Sequence, residues 1–414
     1  MASSSSGHQV NGHQRMQYVL LSDVHLTEVT AEETAGWWTY KRADAVQDRT
    51  LVDFMAHLDA QCPDAYAGTV LIFNGDTFDF DSVFAHPDRD GHQEMGLPST
   101  EPWSVFKMRR LLDDHRAFVG GLARFVARGN RVAFVMGNHD RELAFESVQA
   151  VLLRRLVNEA PAGLGRRIVD AVHFEPWFVH VAGVLYAEHG QQYDATCSYR
   201  DVLAPLAPPD RVRDAELESS LGSVLARRFL GSFGTINPFD DASFLRSIGG
   251  YVRLAFSDYW PRRPFLSRYL AQSAATFWEL RIRRRRVLAA RSPSEASYVA
   301  YADRQGLDPA VVGFLRRLMS VPVQDRLSDL MHELWLDRIL LVLVTVALTT
   351  VAMTHVSAWY HLAFLLAVIP IFALTARALG RGSLALQERG RWGLVAEHVA
   401  ERLRAPIIAF GHSH

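Results

Sequence analysis

Arg131-Val132-Ala133-Phe134-Val135-Met136-Gly137-Asn138-His139-Asp140 decides the fold. The apolar run from Val132 to Met136 has the length and bulk of a buried strand. The Gly-Asn-His-Asp that follows places an amide, an imidazole and a carboxylate at its carboxyl end. In α/β folds that end of a parallel strand is where ligands bind. Alone, the tetrapeptide is weak evidence; its weight comes from other strand ends that carry the same chemistry.

Moving towards the N-terminus, residues 105–127 repeat apolar side chains at Val105, Met108, Leu112, Val119, Leu122 and Val126, a helical spacing closed by Gly129-Asn130 as a C-cap. Residues 69–74 are a second buried strand running into Gly75-Asp76-Thr77-Phe78-Asp79. Residues 44–61 carry Leu51, Phe54, Met55 and Leu58 on one stripe, an amphipathic crossover helix. Residues 18–21 are a first strand ending in Ser22-Asp23-Val24-His25. This β-α-β-α-β succession predicts a largely parallel sheet with right-handed crossovers. Moving towards the C-terminus, residues 183–190 read as a strand delivering His189-Gly190 to the same edge. The alternating runs over 172–181 are expected to pair nearby, antiparallel. Residues 407–410 form a last strand, ending in Gly411-His412-Ser413-His414.

Composition narrows the function. The chain has 414 residues, enough for a sizeable core with an insertion, and a net charge of -1, which gives no global field for nucleic acid. No specific nucleic-acid partner is therefore expected. Its 2 cysteines, Cys62 and Cys197, exclude a disulfide framework and a cysteine-based zinc site, and make a reducing compartment the default. Its 17 histidines are more informative, because imidazole is the commonest metal ligand. Residues 1–16 lack the basic start and apolar centre of a signal peptide and read as a disordered tail.

The strand-end residues offer carboxylates, an amide and imidazoles with no thiolate, a donor set suited to Mn²⁺ first, with Fe or Zn²⁺ as alternatives. Asp23 and His25, two apart, would face the same side of an extended strand and grip one ion together. His57, His115, His173, His180 and His398 have no partner motif and read as surface or satisfied core residues.

In this order, Asp23-Val24-His25, Gly75-Asp76-Thr77-Phe78-Asp79, Gly137-Asn138-His139-Asp140, His189 and Gly411-His412-Ser413-His414 resemble the calcineurin-like metallophosphoesterases. That family's motifs run D-x-H, G-D-x-x-D, G-N-H-D/E, H and G-H-x-H. The resemblance covers residues 16–195 and 405–414 and says nothing of 196–404. It implies an α/β metallophosphoesterase-type sandwich of β-sheets flanked by helices, and a phosphoester hydrolase with two divalent metal ions. By motif, Asp23, His25, Asp76 and His414 would hold one ion, and Asp76, Asn138, His189 and His412 the other, with Asp76 shared. Two cations sharing a carboxylate activate water near neutral pH. His139, with Asn138, would contact the substrate phosphate, and Arg141 would either join them or stand exposed at a helix start; His139 would protonate the leaving oxygen, and Asp140 would orient it. Asp79 is expected to support the metal loop from outside the ligand set. Members normally continue past G-H-x-H with further strands, whereas this sequence stops at His414; either the chain is truncated or its terminal strand is exposed, and in the second case a terminal carboxylate predicts low occupancy of the first metal.

The substrate is less determined. Serine/threonine protein phosphatases carry G-D-x-x-D-R-G and G-N-H-E, whereas here Phe80-Asp81 follows Asp79 and Asp140 follows His139. Bacterial UDP-2,3-diacylglucosamine pyrophosphatases are similar in their Asp-x-His-Leu start and in a helical insertion before G-H-x-H, yet they carry Arg where His139 stands.

The remaining segments point to a bilayer. Residues 196–336 read as a helical insertion, with helical stretches broken at Pro205, Pro238 and Pro261-Pro264. Within it, Arg281, Arg283, Arg284, Arg285, Arg286 and Arg291 beside Phe277 and Trp278 make either a solvated face or a basic surface for anionic headgroups. Residues 339–376 contain no Asp, Glu, Lys or Arg. With a turn at 355–361 they make a transmembrane helical hairpin over 337–377, each arm spanning most of a hydrocarbon core of about 30 Å. A pair of buried helices or a re-entrant segment is the alternative. Arg326, Arg338, Arg377 and Arg381 flank the hairpin and place the catalytic domain in the cytoplasm. Residues 378–414 return to the core. The expected protein is a membrane-associated phosphoesterase with lipid as neighbour and an amphiphilic phosphodiester or pyrophosphate as substrate. A tethered phosphodiesterase for soluble nucleotides or nucleic acid, and a non-catalytic metal-binding scaffold, stand as alternatives.

Overall fold

The computed structural model describes residues 15–29, 46–63, 66–88, 95–203, 205–207, 214–230, 265–289, 294–355 and 391–412. The expected tail lies outside these, Arg15 and Met16 excepted. So do Pro238, the prolines at 261 and 264, Arg291, the second arm of the expected hairpin with Arg377 and Arg381, and His414; the side chains of Arg283–Arg286 are likewise not described.

The elements, in chain order, are β1 (Gln17–Leu21), α1 (Val46–Gln61), β2 (Thr69–Asn74), α2 (Glu101–Asp114), α3 (Arg116–Ala127), β3 (Arg131–Val135), α4 (Glu146–Glu159), α5 (Gly165–Ala171) and β4 (Val172–Glu175). They build a four-stranded sheet of order β1-β2-β3-β4 in which every pair is parallel. Successive side chains on a strand point to opposite faces, and here both faces are dry, which is why the strands read as continuous apolar runs. Leu71, Phe73, Val132 and Phe134 pack under the helices, while Ile72, Ala133 and Val135 point the other way. Register aligns Phe73, Phe134 and Phe174 on adjacent strands, their rings stacked at 5.1 and 5.6 Å. Each such ring removes enough apolar surface from water to contribute roughly 1.5–3 kcal/mol.

The apolar repeat over 105–127 is split into α2 and α3 at His115. That imidazole is buried between Asp48 Oδ1 (2.6 Å) and the Thr27 carbonyl (2.7 Å), and the other Asp48 oxygen accepts from Phe118 N. Asp48 thus reaches the start of α3 from α1, a tertiary contact that local spacing does not reveal. Gly129, at φ +114, follows α3 as the C-cap position requires.

A second sheet holds β5 (Phe178–Val181), β6 (Leu185–Glu188) and, after the whole insertion, β9 (Ile407–Phe410). β5 and β6 are antiparallel, and β6 and β9 parallel. The run 172–181 is therefore divided: β4 joins the first sheet in parallel, and only β5 pairs antiparallel. Leu185 and Ala187 meet Ile72 and Val135 between the sheets, making a sandwich.

The insertion comprises a short ribbon, β7 (Leu206–Ala207) with β8 (Glu216–Leu217), then α6 (Leu221–Leu225), continued by a π-helical turn Ala226–Leu230. After it come α7 (Phe265–Ala289), α8 (Glu295–Arg304), α9 (Pro309–Leu318), α10 (Leu327–Glu333) and α11 (Leu336–His355). Then α12 (Arg391–Leu403) leads into β9. Tyr298, Tyr301, Val312, Leu315, Val395 and Val399 cover Phe178 and Tyr186 on the outer face of the second sheet. The insertion is thus the fourth layer of the sandwich, equivalent to what α1–α5 do for the first sheet. A separate cluster joins Leu221 and Val224 of α6 to Leu280, Leu330, Leu334 and Leu336.

No described helix is by itself long and apolar enough to cross a membrane. The bent pair Leu327–Glu333 and Leu336–Val351, at 82°, meets that test together. The aliphatic side chains Leu340, Leu343, Val346, Leu348 and Val351 of α11 are each more than half exposed.

Candidate active site

β1, β2, β3, β6 and β9 all end at one edge, where the loops lie against each other. The loop after β1 runs alongside the loop after β2: Asp23 N donates to Gly75 O, His25 N to Asp76 O and Leu26 N to Thr77 O. Asp23, His25 and Asp76 all have left-handed backbones (φ 56, 50 and 50). The expectation that Asp23 and His25 share one face of an extended strand is therefore corrected. β1 stops at Leu21, and the two residues are aimed by a left-handed turn costing on the order of 1 kcal/mol per residue.

Three motif glycines are required by close approach. A Cβ on Gly137 would collide with the Asp76 carboxylate and come within 2.6 Å of its backbone nitrogen. On Gly75 it would enter the His189 ring, and on Gly411 it would meet Ser22 and the Asp23 carboxylate. The loops touch backbone to side chain, which brings the donors together.

Asp76 is at the centre and buried. Its Oδ1 accepts from His139 N (2.8 Å), and its Oδ2 lies 3.1 Å from His189 Nε2 and 3.9 Å from His25 Nε2. Burial opposes ionisation of Asp76, but His189, His139 and His25 outweigh it and hold the carboxyl well below its ordinary range. His189 Nδ1 lies 3.0 Å from the Asn74 carbonyl, which can only accept, so Nε2 carries the lone pair in the neutral ring. That lone pair faces Asp76 Oδ2 and Asn138 Oδ1 (3.3 Å), two further acceptors. With no ion between these atoms, burial opposes the His189 imidazolium but Asp76 outweighs it and raises the pKa to about 9, so that a proton on Nε2 meets the two oxygens; a divalent ion can take that proton's place, and the residues fit a metal. His412 joins Asp76 and His189 in one group with donor atoms within 4.8 Å of one another, and His25, Asp76 and His139 form another.

The set implied for the second ion, Asp76, Asn138, His189 and His412, is thus brought together. Of the first, Asp76 and His25 are adjacent. Asp23 lies beside them, its carboxylate accepting from His412 N at 3.2 Å, and His414 is outside the described residues. Bound there, two divalent ions would supply Lewis-acid charge and activate water.

His139 Nδ1 faces Asp79 Oδ1 at 3.2 Å, and Asp81 Oδ2 is 3.9 Å away. Burial disfavours the imidazolium, yet Asp79, Asp76 and Asp81 together raise its pKa to about 10. With Nδ1 engaged, Nε2–H is the ring donor that could stabilise phosphoryl charge or protonate a leaving oxygen. The orienting carboxylate is therefore Asp79, whereas Asp140 does a different job. Its oxygens accept from Gly137 N (2.6 Å) and Thr77 N (2.7 Å), locking the two ligand loops to each other.

Arg141 is also reassigned. It is buried rather than exposed at a helix start. The guanidinium is 1% exposed and bonds to Asp81, Ser99, Ser223 and the carbonyl of Asn138. The sequence placed it at a helix start but could not show that Ser223 and Asp81 fold over it.

Three residues that sequence reasoning missed stand around this edge. Tyr199 donates to Asn138 O (3.2 Å), Asp194 Oδ2 lies 3.2 Å from His412 Nε2, and the Trp392 ring stacks on His412 at 5.8 Å. Cys197, with Asp194 and His412, brings a sulfur near the site; burial and Asp194 push its thiol well above the ordinary range, keeping it neutral.

Neither a curated protein nor a solved structure gives a significant match to the chain. Residues 16–216 match the family model described as calcineurin-like phosphoesterase, and over that span the chain belongs to this family of phosphoester-bond hydrolases.

Proposed function

We propose that this metal-dependent phosphoesterase works at a bilayer surface, facing the cytoplasm, on an amphiphilic phosphodiester or pyrophosphate, with Mn²⁺ as the preferred ion. The observation that carries this reading is α11. A helix whose aliphatic side chains are exposed on nearly every side has no stable place in water. At its base Trp335 lies under the Arg338 guanidinium and near Tyr269, residue types favoured where hydrocarbon meets headgroups. The same base packs through Leu334 and Leu336 onto α6, and Ser223 of α6 bonds Arg141, which holds the carbonyl of Asn138. A short chain of contacts therefore leads from the apolar helix to the candidate centre. The carboxylate, amide and imidazole donors around Asp76 support Mn²⁺, with Fe or Zn²⁺ as the alternatives.

The test has two arms. Full-length protein is mixed with anionic phospholipid vesicles and floated on a density gradient; recovery in the soluble fraction without detergent would refute the bilayer reading. Lipid-linked pyrophosphates and phosphodiesters are then compared with cyclic nucleotides and single-stranded DNA under Mn²⁺, beside His139→Ala. Faster turnover of the lipid-linked substrates, lost in the variant, is expected. A preference for cyclic nucleotides would instead identify a tethered soluble-substrate phosphodiesterase, and equal rates for wild type and His139→Ala would remove His139 from the chemistry.

A further inference from the structure

We infer that Asp194 and Trp392 are positioning residues for His412, fixing which ring nitrogen it offers to the metal. This rests on the metal-centre reading given above. His412 is held at every other point of attachment. Its backbone is left-handed (φ 70), and its N–H donates to both Asp23 oxygens at 3.2 Å. Its Nε2 is 3.2 Å from Asp194 Oδ2. Asp194 is itself fixed by Thr196, whose N–H and hydroxyl both donate to Oδ1 at 2.7 Å, so Oδ2 is the oxygen left to accept.

Trp392 closes the other side. Its ring stacks on the imidazole at an interplanar angle of 30° and stands edge-on to Tyr193 and Phe410. The close fit is enforced by Gly190, where a Cβ would come within 2.5 Å of the indole. An imidazole donating Nε2–H to a carboxylate carries its lone pair on Nδ1, and the donation raises its basicity. His412 therefore serves the ion through Nδ1. This is opposite to His189, whose Nδ1 is engaged by the Asn74 carbonyl and whose Nε2 faces Asp76.

Trp392 lies in the first turn of α12 and Asp194 directly precedes the insertion, so both residues that set His412 come from the boundaries of the inserted region. The insertion thereby acts on metal binding without donating a ligand of its own.

Mn²⁺ titration calorimetry on full-length protein tests this. Wild type is expected to bind two ions, the one at Asp23 and His25 the more weakly. Asp194→Ala is expected to lose 10–100-fold in affinity for one of them and leave the other unchanged. Asp194→Asn, which keeps an acceptor for Nε2–H, is expected to stay within a few fold of wild type, and Trp392→Ala to weaken the same ion as Asp194→Ala. Two ions bound by Asp194→Ala as tightly as by wild type would overturn the inference and leave the metal centre standing. A wild type that binds no ion would remove both. Loss in Asp194→Asn equal to that in Asp194→Ala would make Asp194 a ligand and also overturn it. Selective ¹⁵N-histidine NMR of the metal-free wild type gives a readout independent of folding in the variants: an Nε2–H tautomer at His412 is expected, and an Nδ1–H tautomer would refute the assignment.

Discussion

Gly137→Ala adds one methyl group at the point where the β3 loop crosses Asp76. The backbone at Gly137 is not left-handed, so alanine meets no conformational barrier and the effect isolates the contact itself. The new Cβ would sit 2.6 Å from Asp76 N and 2.9 Å from its Cγ, against ordinary contacts beginning at 3.4 Å. One loop must retreat by most of an ångström. Neither loop is free to do so, because Gly137 N and Thr77 N are both tied to Asp140, and His139 N is tied to Asp76. Overpacking of this kind costs about 1–3 kcal/mol of stability. Misplacing a reacting group by ~1 Å costs about 10²-fold in rate. The expected variant is folded, melts several degrees lower, and hydrolyses bis-p-nitrophenyl phosphate about 100-fold more slowly under Mn²⁺. Gly393→Ala is the control: it lies in α12, and an added Cβ would have nothing within 4 Å, so unchanged activity is expected, with stability raised by about 0.5–1 kcal/mol. A Gly137→Ala protein within threefold of wild type in rate would refute the claim that this crossing sets the position of Asp76.

The remaining predictions concern buried charge. Burial raises Glu218 from 4.5 to about 7. The folded state then keeps a proton that the unfolded chain releases, and stability falls as pH rises between those values and is level above them. Glu218→Gln should abolish that slope and stabilise the protein at pH 8 by roughly 3 kcal/mol, with little change near pH 4.5; urea unfolding that keeps the wild-type slope would contradict it. Lys107 and Glu142 form a fully buried pair at 2.7 Å, so Lys107→Met should cost about 3–5 kcal/mol by leaving Glu142 alone, and Lys107→Met with Glu142→Leu should recover most of it. Arg141→Lys should lower the melting temperature, because a single ammonium cannot bond Asp81, Ser99, Ser223 and Asn138 O together, and should leave KM within twofold. A rise in KM at unchanged stability would return Arg141 to the substrate.

What the sequence made legible follows a physical boundary. Runs such as Val132–Met136 announce themselves because both faces of their sheets are dry. The ligand-bearing residues are legible because each directly follows such a run. Asp76, Asn138 and His189 could be placed at one edge with no knowledge of packing. Their supporting partners could not: Arg141 meets Ser223 82 residues away, and His412 meets Asp194 218 residues away. Neither separation leaves a local pattern. Asp79 and Asp140 show the same limit at short range, since both are acids beside His139 in sequence or space. Their roles separate only where Oδ1 of one reaches Nδ1 of the ring and the oxygens of the other reach two backbone amides. The left-handed Asp23 and His25 were unreadable for another reason: strand periodicity extrapolated past Leu21 assumes an extended chain, and the backbone turns there to follow the loop after β2.

These long-range partners change what the insertion is for. The first sheet supplies Asp76 and Asn138, and its core is nearly complete without residues 196–404, which add Leu206, Ala215 and Leu217 to it. The second sheet is not: its outer face is covered by α8, α9 and α12, and its last strand, β9, arrives only after α12. His189 after β6 and His412 after β9 thus depend on a layer that the insertion builds, while Ser223 and Arg227 from the same region bond Arg141 and Asp81. Disturbing the insertion should therefore be felt first at His412 and Asn138, before Asp76, whose partners within the first sheet and its loops survive. Of the two ions the motifs imply, one would take Asp23, His25 and Asp76 from the early chain and only His414 from the late chain, while the other would rest on His189 and His412 and on the layer that supports them. Its two ions should accordingly differ in how strongly their binding responds to changes in α6 and α12.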